Sequence, residues 1–199
     1  MLLQYLFLLH LLWLHLFQIN FTLCLGSVFI KTNMNLIKRS LAFIYGKSRQ
    51  YYYERRYDFY REKYQIKNDF GFNGTDIRVY GNGEIIVGNN SYIGSLSTIQ
   101  LSPGAKVFIG DNCQISHNVR MYTSSADPNQ DFTIPKTKPS KIGDILIDDG
   151  VWVGANVFIN PNIKIGKNSV IGANSVVTKD IEPNSIYGGV PAKLIRYKS

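Results

Sequence analysis

The chain has 199 residues, with 22 Lys and Arg against 14 Asp and Glu, for a formal net charge of +8 at pH 7. That length suits one domain with additions, and two cysteines, Cys24 and Cys113, exclude a disulfide framework. The positive excess asks for an anionic partner; nucleic acid is a poor candidate because no motif for it is present and the aromatics do not interleave with basic residues along the repeats, whereas a phosphorylated cofactor or an anionic membrane surface fits.

Met1 to Ile30 carries no charged residue, and about twenty apolar residues suffice to span a bilayer. No basic region precedes the apolar run, unlike a signal peptide. Lys31, Lys38, Arg39, Lys47 and Arg49 follow it, which would leave the following domain in the cytoplasm, possible membrane contact being at the inner face. Gln4, His10, His15, Gln18 and Asn20 count against a span. Met34 opens a second plausible start, MNLIKRSLAFIYGK. Residues 1–33 are therefore either a membrane anchor or a mis-assigned start.

Residues 34–72 form a basic, Tyr-rich segment. From Arg49 to Lys67 the pattern predicts a helix: Tyr53, Tyr57, Tyr60 and Tyr64 share one face, with Arg55, Arg56, Arg61 and Lys63 on the rest. Such a helix caps the open edge of a β-domain; an interfacial membrane helix is the rival.

From residue 73 to 199 a six-residue step takes over. Ile147, Val153, Ile159, Ile165, Ile171 and Val177 fall six apart, and Val87, Ile93, Ile99 and Ile109, Ile115, Met121 keep the same step earlier. A second register runs through Val151, Val157, Ile163, Ser169, Ser175 and Ile181. Neither a helix nor a half-buried strand has this period. Short strands joined by corners do, each unit pointing one aliphatic residue inward and turning on residues such as Gly154, Asn160, Gly166 and Gly172. The fold class is mainly β: a parallel β-helix of four to five coils with an N-terminal helical segment. Cys113 falls in an inward register. The step breaks at residues 122–146, a polar segment with Pro128, Pro135 and Pro139, which predicts a functional loop extruded from the solenoid.

Ile115 points inward and Ser116 makes a corner, so His117 projects outward, one hexad before the loop. A neutral imidazole there is suited to general-base work near pH 7. His117 is the one histidine of the repeat region. A three-histidine metal site, as in the β-helix carbonic anhydrases, fails on ligand count, and no metal is expected.

The repeat, His117 and the run VWVGANVFINPNIKIGKNSVIGANSVVTKDIEPNSIYGGVPAKLIR resemble the hexapeptide acyltransferases, and most closely the sugar O-acetyltransferases acting on galactosides, maltose and surface polysaccharides. The resemblance covers roughly residues 75–199. It implies a left-handed β-helix, a homotrimer with sites between neighbouring prisms, and acetyl-CoA as co-substrate. The galactoside-type base position is Ala126 here, a departure. QISHNV is instead similar to the lipid A acyltransferases and amino-sugar N-acetyltransferases, whose base lies two residues after an inward aliphatic, which is where His117 stands.

By the same resemblance the Ala155 N–H matches the oxyanion donor, and the hexad count stacks it on His117. Ala155 and Ala173 would flank the pantetheine. Thr178, Lys179 and Arg196 match coenzyme A contacts, with Lys193 beside them, and Trp152 is a candidate groove wall. Asp127 or Asp131 in the loop could orient the imidazole; Asp111 reads as an ordinary turn residue. The expected function is O-acetylation of a sugar hydroxyl in surface polysaccharide assembly, in the cytoplasm. N-acetylation of an amino sugar, free or nucleotide-linked, is the rival enzyme reading. A degenerate trimeric scaffold is the non-enzymatic one.

Overall fold

The computed structural model describes residues 27–135 and 141–199, with side chains from Met34 onward. Both readings of residues 1–33 concern side chains outside the described residues. The chain divides into two compact units, Met1–Tyr52 and Tyr53–Ser199. The boundary falls inside one helix, α1, Ser27–Tyr64, which is longer than the stretch the tyrosine spacing picks out. No helix among the described residues is long and apolar enough to cross a membrane.

The second unit is a parallel β-helix. Its first face stacks Gly71–Asn73, Tyr92–Gly94, Gln114–Ile115, Trp152–Val153, Val170–Ile171 and Ser185–Gly188, with Lys193–Tyr197 closing the edge antiparallel. The second face stacks Arg78–Gly81, Thr98–Leu101, Arg120–Tyr122, Phe158–Ile159 and Val176–Val177. The third stacks Glu84–Val87, Lys106–Ile109, Ile145–Ile147 and Ile163–Ile165. Inward residues line up in columns: Ile93, Ile115, Val153 and Ile171 on the first face, and Ile99, Met121, Ile159 and Val177 around the second. All eight are fully buried.

One expectation needs correction. Each hexad buries two residues, not one: Val151, Val157, Ile163, Ser169, Ser175 and Ile181 are inside as well. The serines are tolerated because each is satisfied. The Ser169 hydroxyl donates to Gly166 O and the Ser175 hydroxyl to Gly172 O. Ser91 and Ser97 bond to the next coil, donating to Gly110 O and Ser116 O and accepting from the N–H of Cys113 and Val119. Cys113 is fully buried, and burial pushes its thiol pKa up.

The last turns of α1 close the N-terminal end of the solenoid. The tyrosine hydroxyls of Tyr53, Tyr57 and Tyr64 donate to Asp76 Oδ1, Gly74 O and Gly81 O at 2.6, 2.8 and 3.0 Å. Tyr57 also stacks on Phe72, ring centres 4.8 Å apart. The helix stops because Gln65 turns left-handed (φ 55°) and the Ile66 N–H returns to Arg61 O, a Schellman-type end. The first-coil edge is thus covered by side chains bonded to its carbonyls. In the first unit, by contrast, Met34, Leu36, Leu41, Phe43, Tyr45, Tyr51 and Tyr52 are exposed.

The break after Met121 leaves the solenoid through Ser124–Ser125 and returns through Lys141–Ile142, which pair antiparallel as a short ribbon. The third face resumes at Ile145.

Burial holds the Tyr57 hydroxyl protonated and raises its pKa from 10.0 to about 12. Because the folded value lies above the unfolded one, its stabilisation is complete below about pH 10 and is lost as the pH rises toward the folded value. The melting temperature is expected to fall over that window, and to fall less in Tyr57→Phe. That variant should lose about 1 kcal/mol at neutral pH with its bond to Gly74. Identical alkaline slopes in the two proteins would remove Tyr57 as the cause.

Candidate functional site

The corner between the first and second faces carries the candidate residues His117, Ala155 and Ala173. Its residues are set by the ladder beneath them. Val153 pairs with Ile115 and Ile171, so two residues further on Ala155 lies between His117 and Ala173. Backbone bonds fix this stack: the Asn156 N–H donates to His117 O at 3.0 Å and the Asn174 N–H to Ala155 O at 2.8 Å. Next along the corner stand Asn118, Asn156 and Asn174, all left-handed at φ 54–60°, a conformation Asn tolerates better than most residues. Their side-chain amides form a ladder, Asn118 to Asn156 at 2.9 Å and Asn156 to Asn174 at 3.0 Å.

His117 is exposed, and Ala155 above it is half-buried. A methyl group built on Gly94, one coil below, would sit 2.7 Å from His117 Nδ1 and 2.9 Å from the Ser116 carbonyl carbon. The ring therefore rests its Nδ1 edge over the bare backbone of Gly94. The N–H of Ala155 has no hydrogen-bond partner among the described residues. Free N–H groups recur at this corner, so what singles out Ala155 is its place one rung from the imidazole, about 4.8 Å along the stack. Ala155 and Ala173 leave a low ledge on which a narrow chain can lie. Trp152, 52% exposed, donates its indole N–H to Ser116 Oγ at 3.4 Å and flanks the same corner.

The remaining predicted residues divide. Lys193 pairs with Gly188 at the edge of the first face, and Arg196 pairs with Ile186 on that face, its guanidinium donating to Tyr197 O. Thr178 and Lys179 follow Val177 at the next corner, between the second and third faces. All four are exposed on the last coil, and the Ala192 N–H, beside Lys193, donates to Val176 O, two residues before Thr178. Asp127 and Asp131 are not brought to the imidazole. Asp127 Oδ1 accepts from the Asn129 N–H, and Asp131 Oδ1 from the N–H and hydroxyl of Thr133. Those bonds to Thr133 hold the Asp131 pKa below its usual value. Ala126, where a loop histidine would stand in the galactoside type, is exposed. Asp111 accepts from the backbone and side chain of Asn89, as a turn residue does. Among the described residues no group of three or more His, Cys, Asp or Glu could hold a metal.

Gly94 escaped the sequence reading. Its partner lies 22 residues on, as Ile93 pairs with Ile115, not 18, because extra residues around Ser102–Ala105 lengthen that coil. Only the register makes its relation to His117 visible. The corner is convex. Two open grooves, of about 810 and 720 Å³, lie elsewhere, one lined by Lys63, Asn82 and Lys106 among others and one by Asp111, Asp149 and Lys167 among others.

Two family models match the chain: bacterial transferase hexapeptide (six repeats) over residues 144–179, and hexapeptide repeat of succinyl-transferase over residues 84–120. A Lysinibacillus sphaericus protein named "probable macrolide acetyltransferase" is 37% identical over 109 residues, which is 47% of this chain and 61% of the relative. The chain thus spans about three fifths of that relative's length. Among solved structures, a maltose O-acetyltransferase from Clostridium difficile 630 is 34% identical, with 74% of this chain and 76% of that one covered and a TM-score of 0.52. A mutant of AntD, an N-acyltransferase from Bacillus cereus, solved with dTDP and coenzyme A, is 25% identical, with 66% and 75% covered and a TM-score of 0.52.

The asparagine ladder is open to test. Asn156→Gly keeps the left-handed corner but loses two side-chain bonds, whereas Asn156→Ala also strains the backbone. Urea denaturation is expected to find the alanine variant less stable than the glycine variant by about 1 kcal/mol. An alanine variant as stable as the glycine one would show that backbone strain is not what selects asparagine there.

Proposed function

Because the chain belongs to the hexapeptide-repeat (left-handed parallel β-helix) acyltransferase family, we propose that it transfers acetyl from acetyl-CoA to a sugar hydroxyl, in surface polysaccharide biosynthesis. The observation that carries this reading is the stacking of an exposed imidazole, His117, one rung below the unpartnered N–H of Ala155.

His117 takes the acceptor hydroxyl proton through Nε2, freeing the oxygen to attack the thioester carbonyl. The Ala155 N–H donates to the oxyanion as the carbonyl becomes tetrahedral, a fixed donor that needs no reorganisation. His117 then returns the proton to the departing thiolate, so the imidazole ends neutral. The ledge of Ala155 and Ala173 would hold the pantetheine arm, and Lys179, Lys193 and Arg196 would offer cations to the phosphorylated end. Holding both substrates along one corner supplies much of the rate.

A convex corner cannot enclose substrates alone. The reading includes a homotrimer, in which a neighbouring prism would wall the corner. We place the reaction in the cytoplasm, where acyl-CoA is made. The exposed aromatic and basic turns 34–52 of α1 favour contact with the anionic inner face of a membrane. N-acetylation of an amino sugar remains the second reading, favoured by the placement of His117 two residues after the inward Ile115 and by the likeness to an N-acyltransferase.

Acetyl-CoA is expected to raise the melting temperature, and dephospho-CoA to do so less. His117→Ala should lower acetyl transfer to sugar acceptors by about 10²–10⁴-fold while keeping the acetyl-CoA shift. Transfer that survives the substitution would remove His117 as base. Absence of any shift at millimolar acetyl-CoA would favour a scaffold.

A further inference from the structure

The second face of the solenoid shows an arrangement that the acetyl-transfer chemistry does not use. Its outward positions form two columns. One runs Arg78, Thr98, Arg120, Phe158; the other runs Tyr80, Gln100, Tyr122. Arg78, Arg120 and Tyr80 are exposed, and Tyr122 meets Phe158 edge-on with ring centres 5.3 Å apart.

The two arginines stand apart from the others of this unit. Arg55 pairs with Asp58, Arg56 donates to Tyr60, Arg61 to the carbonyls of Lys67 and Phe70, and Arg196 to Tyr197 O. Arg78 and Arg120 make no hydrogen bond or ion pair among the described residues, although each has five donors to satisfy. No carboxylate occupies an outward position on their face. Most acidic residues of the solenoid wall lie on the third face and its corners, as Glu84, Asp144, Asp148 and Asp180 do; Asp76, at the corner before Arg78, accepts from the Tyr53 hydroxyl. Asp127 and Asp131 leave with the loop and bond to their own turns. The outward positions of the face thus carry two cations and no acid.

Spacing narrows the ligand. Two rungs separate the arginines, about 10 Å at the usual strand spacing. This is comparable to the span of two linked sugar rings and longer than a pyrophosphate. Arg120 follows His117 by three residues, so a chain lying on this face reaches the imidazole at the corner. Tyr80, Tyr122 and Phe158 give sugar rings apolar surfaces on which to lie, and arginine is the cation best matched to carboxylate and phosphate geometry.

We propose that the second face is the acceptor subsite and that the acceptor is an acidic oligosaccharide, with anionic groups on alternate sugars held by Arg78 and Arg120. This rests on the sugar-acetyltransferase reading and names the class of its acceptor.

The test compares a hyaluronan hexasaccharide, carboxylated on alternate rings, with neutral maltohexaose, using the full chain and fluorescence or calorimetric titration. The carboxylated probe is expected to bind, more weakly as salt rises, and the neutral one to bind at least about tenfold more weakly. Arg78→Gln and Arg120→Gln should each lower affinity for the acidic probe by about tenfold and flatten its salt dependence. Both should leave the acetyl-CoA thermal shift unchanged, so failure here is separable from failure of the transferase reading. A phosphorylated oligosaccharide that binds through the same arginines where the carboxylated one does not would keep the anionic subsite and change its acid group. Equal binding of neutral and acidic probes, or unaltered affinity in both variants, would overturn the proposal. So would UDP binding there in place of either oligosaccharide, or a change in oligomeric state as the sole effect of the substitutions.

Discussion

The parallel ladder between successive coils is the constraint on which the rest depends. Backbone N–H groups of the strands and corners reach carbonyls one coil away, as Ser116 does to Val153, Gly154 to Ile171 and Gly172 to Tyr187. Local backbone bonds are confined to turns such as Ala105 to Ser102, so along the strands a residue's neighbours are set by register rather than by proximity in the chain. One coil cannot bury its apolar residues alone. Stacking turns single isoleucines and valines into continuous columns, and the same stacking turns single outward residues into columns that face solvent. His117, Ala155 and Ala173 are such a column; Arg78, Thr98 and Arg120 are another.

That constraint makes small polar residues as informative as the aliphatic ones. A slip of the ladder would turn the buried set outward, and several devices fix the register. The corner asparagines adopt left-handed backbone and bond to each other along the stack, Asn118 to Asn156 to Asn174 and Asn168 to Asn184. Buried serines bond across coils or to their own corner. Among the described residues no buried side-chain nitrogen or oxygen is left without a partner. The column can therefore be interrupted by polar residues without the cost that an unsatisfied group would bring.

Much of this was legible because the six-residue step is written in isoleucines and valines. The inward columns, the burial of Cys113 and the relation of His117 to Ala155 all follow from counting. Counting failed where the coil length changes. Gly94 lies 22 residues from Ser116 because of the longer coil, so its place under the imidazole needed the actual register. The single inward residue per hexad was also too few, since serines in the second register do not read as core until their hydrogen bonds are known. The tyrosine face of α1 was readable from its spacing, but not that Asp76, Gly74 and Gly81 receive its hydroxyls. Thr178, Lys179, Lys193 and Arg196 read as one group because they fall together at the last coil; which face or corner each occupies needed the register.

The position of the proposed base is the clearest consequence. A histidine carried on the loop would need that loop ordered before it could act, and here the loop position holds Ala126 while the loop carboxylates turn onto their own backbone. His117 instead stands on a rung bonded above and below through His117 O and its neighbour Asn118. No carboxylate among the described residues bonds to its ring. Its orientation comes from shape, the Nδ1 edge lying against a glycine that leaves space for nothing larger. A base held by the scaffold needs less from the loop, which is then free to vary with the acceptor. In the proposed reaction the corner and the first-face edge would serve the acyl donor, and the second face, whose outward positions carry no acid and which begins three residues after His117, would be left for whatever receives the acyl group.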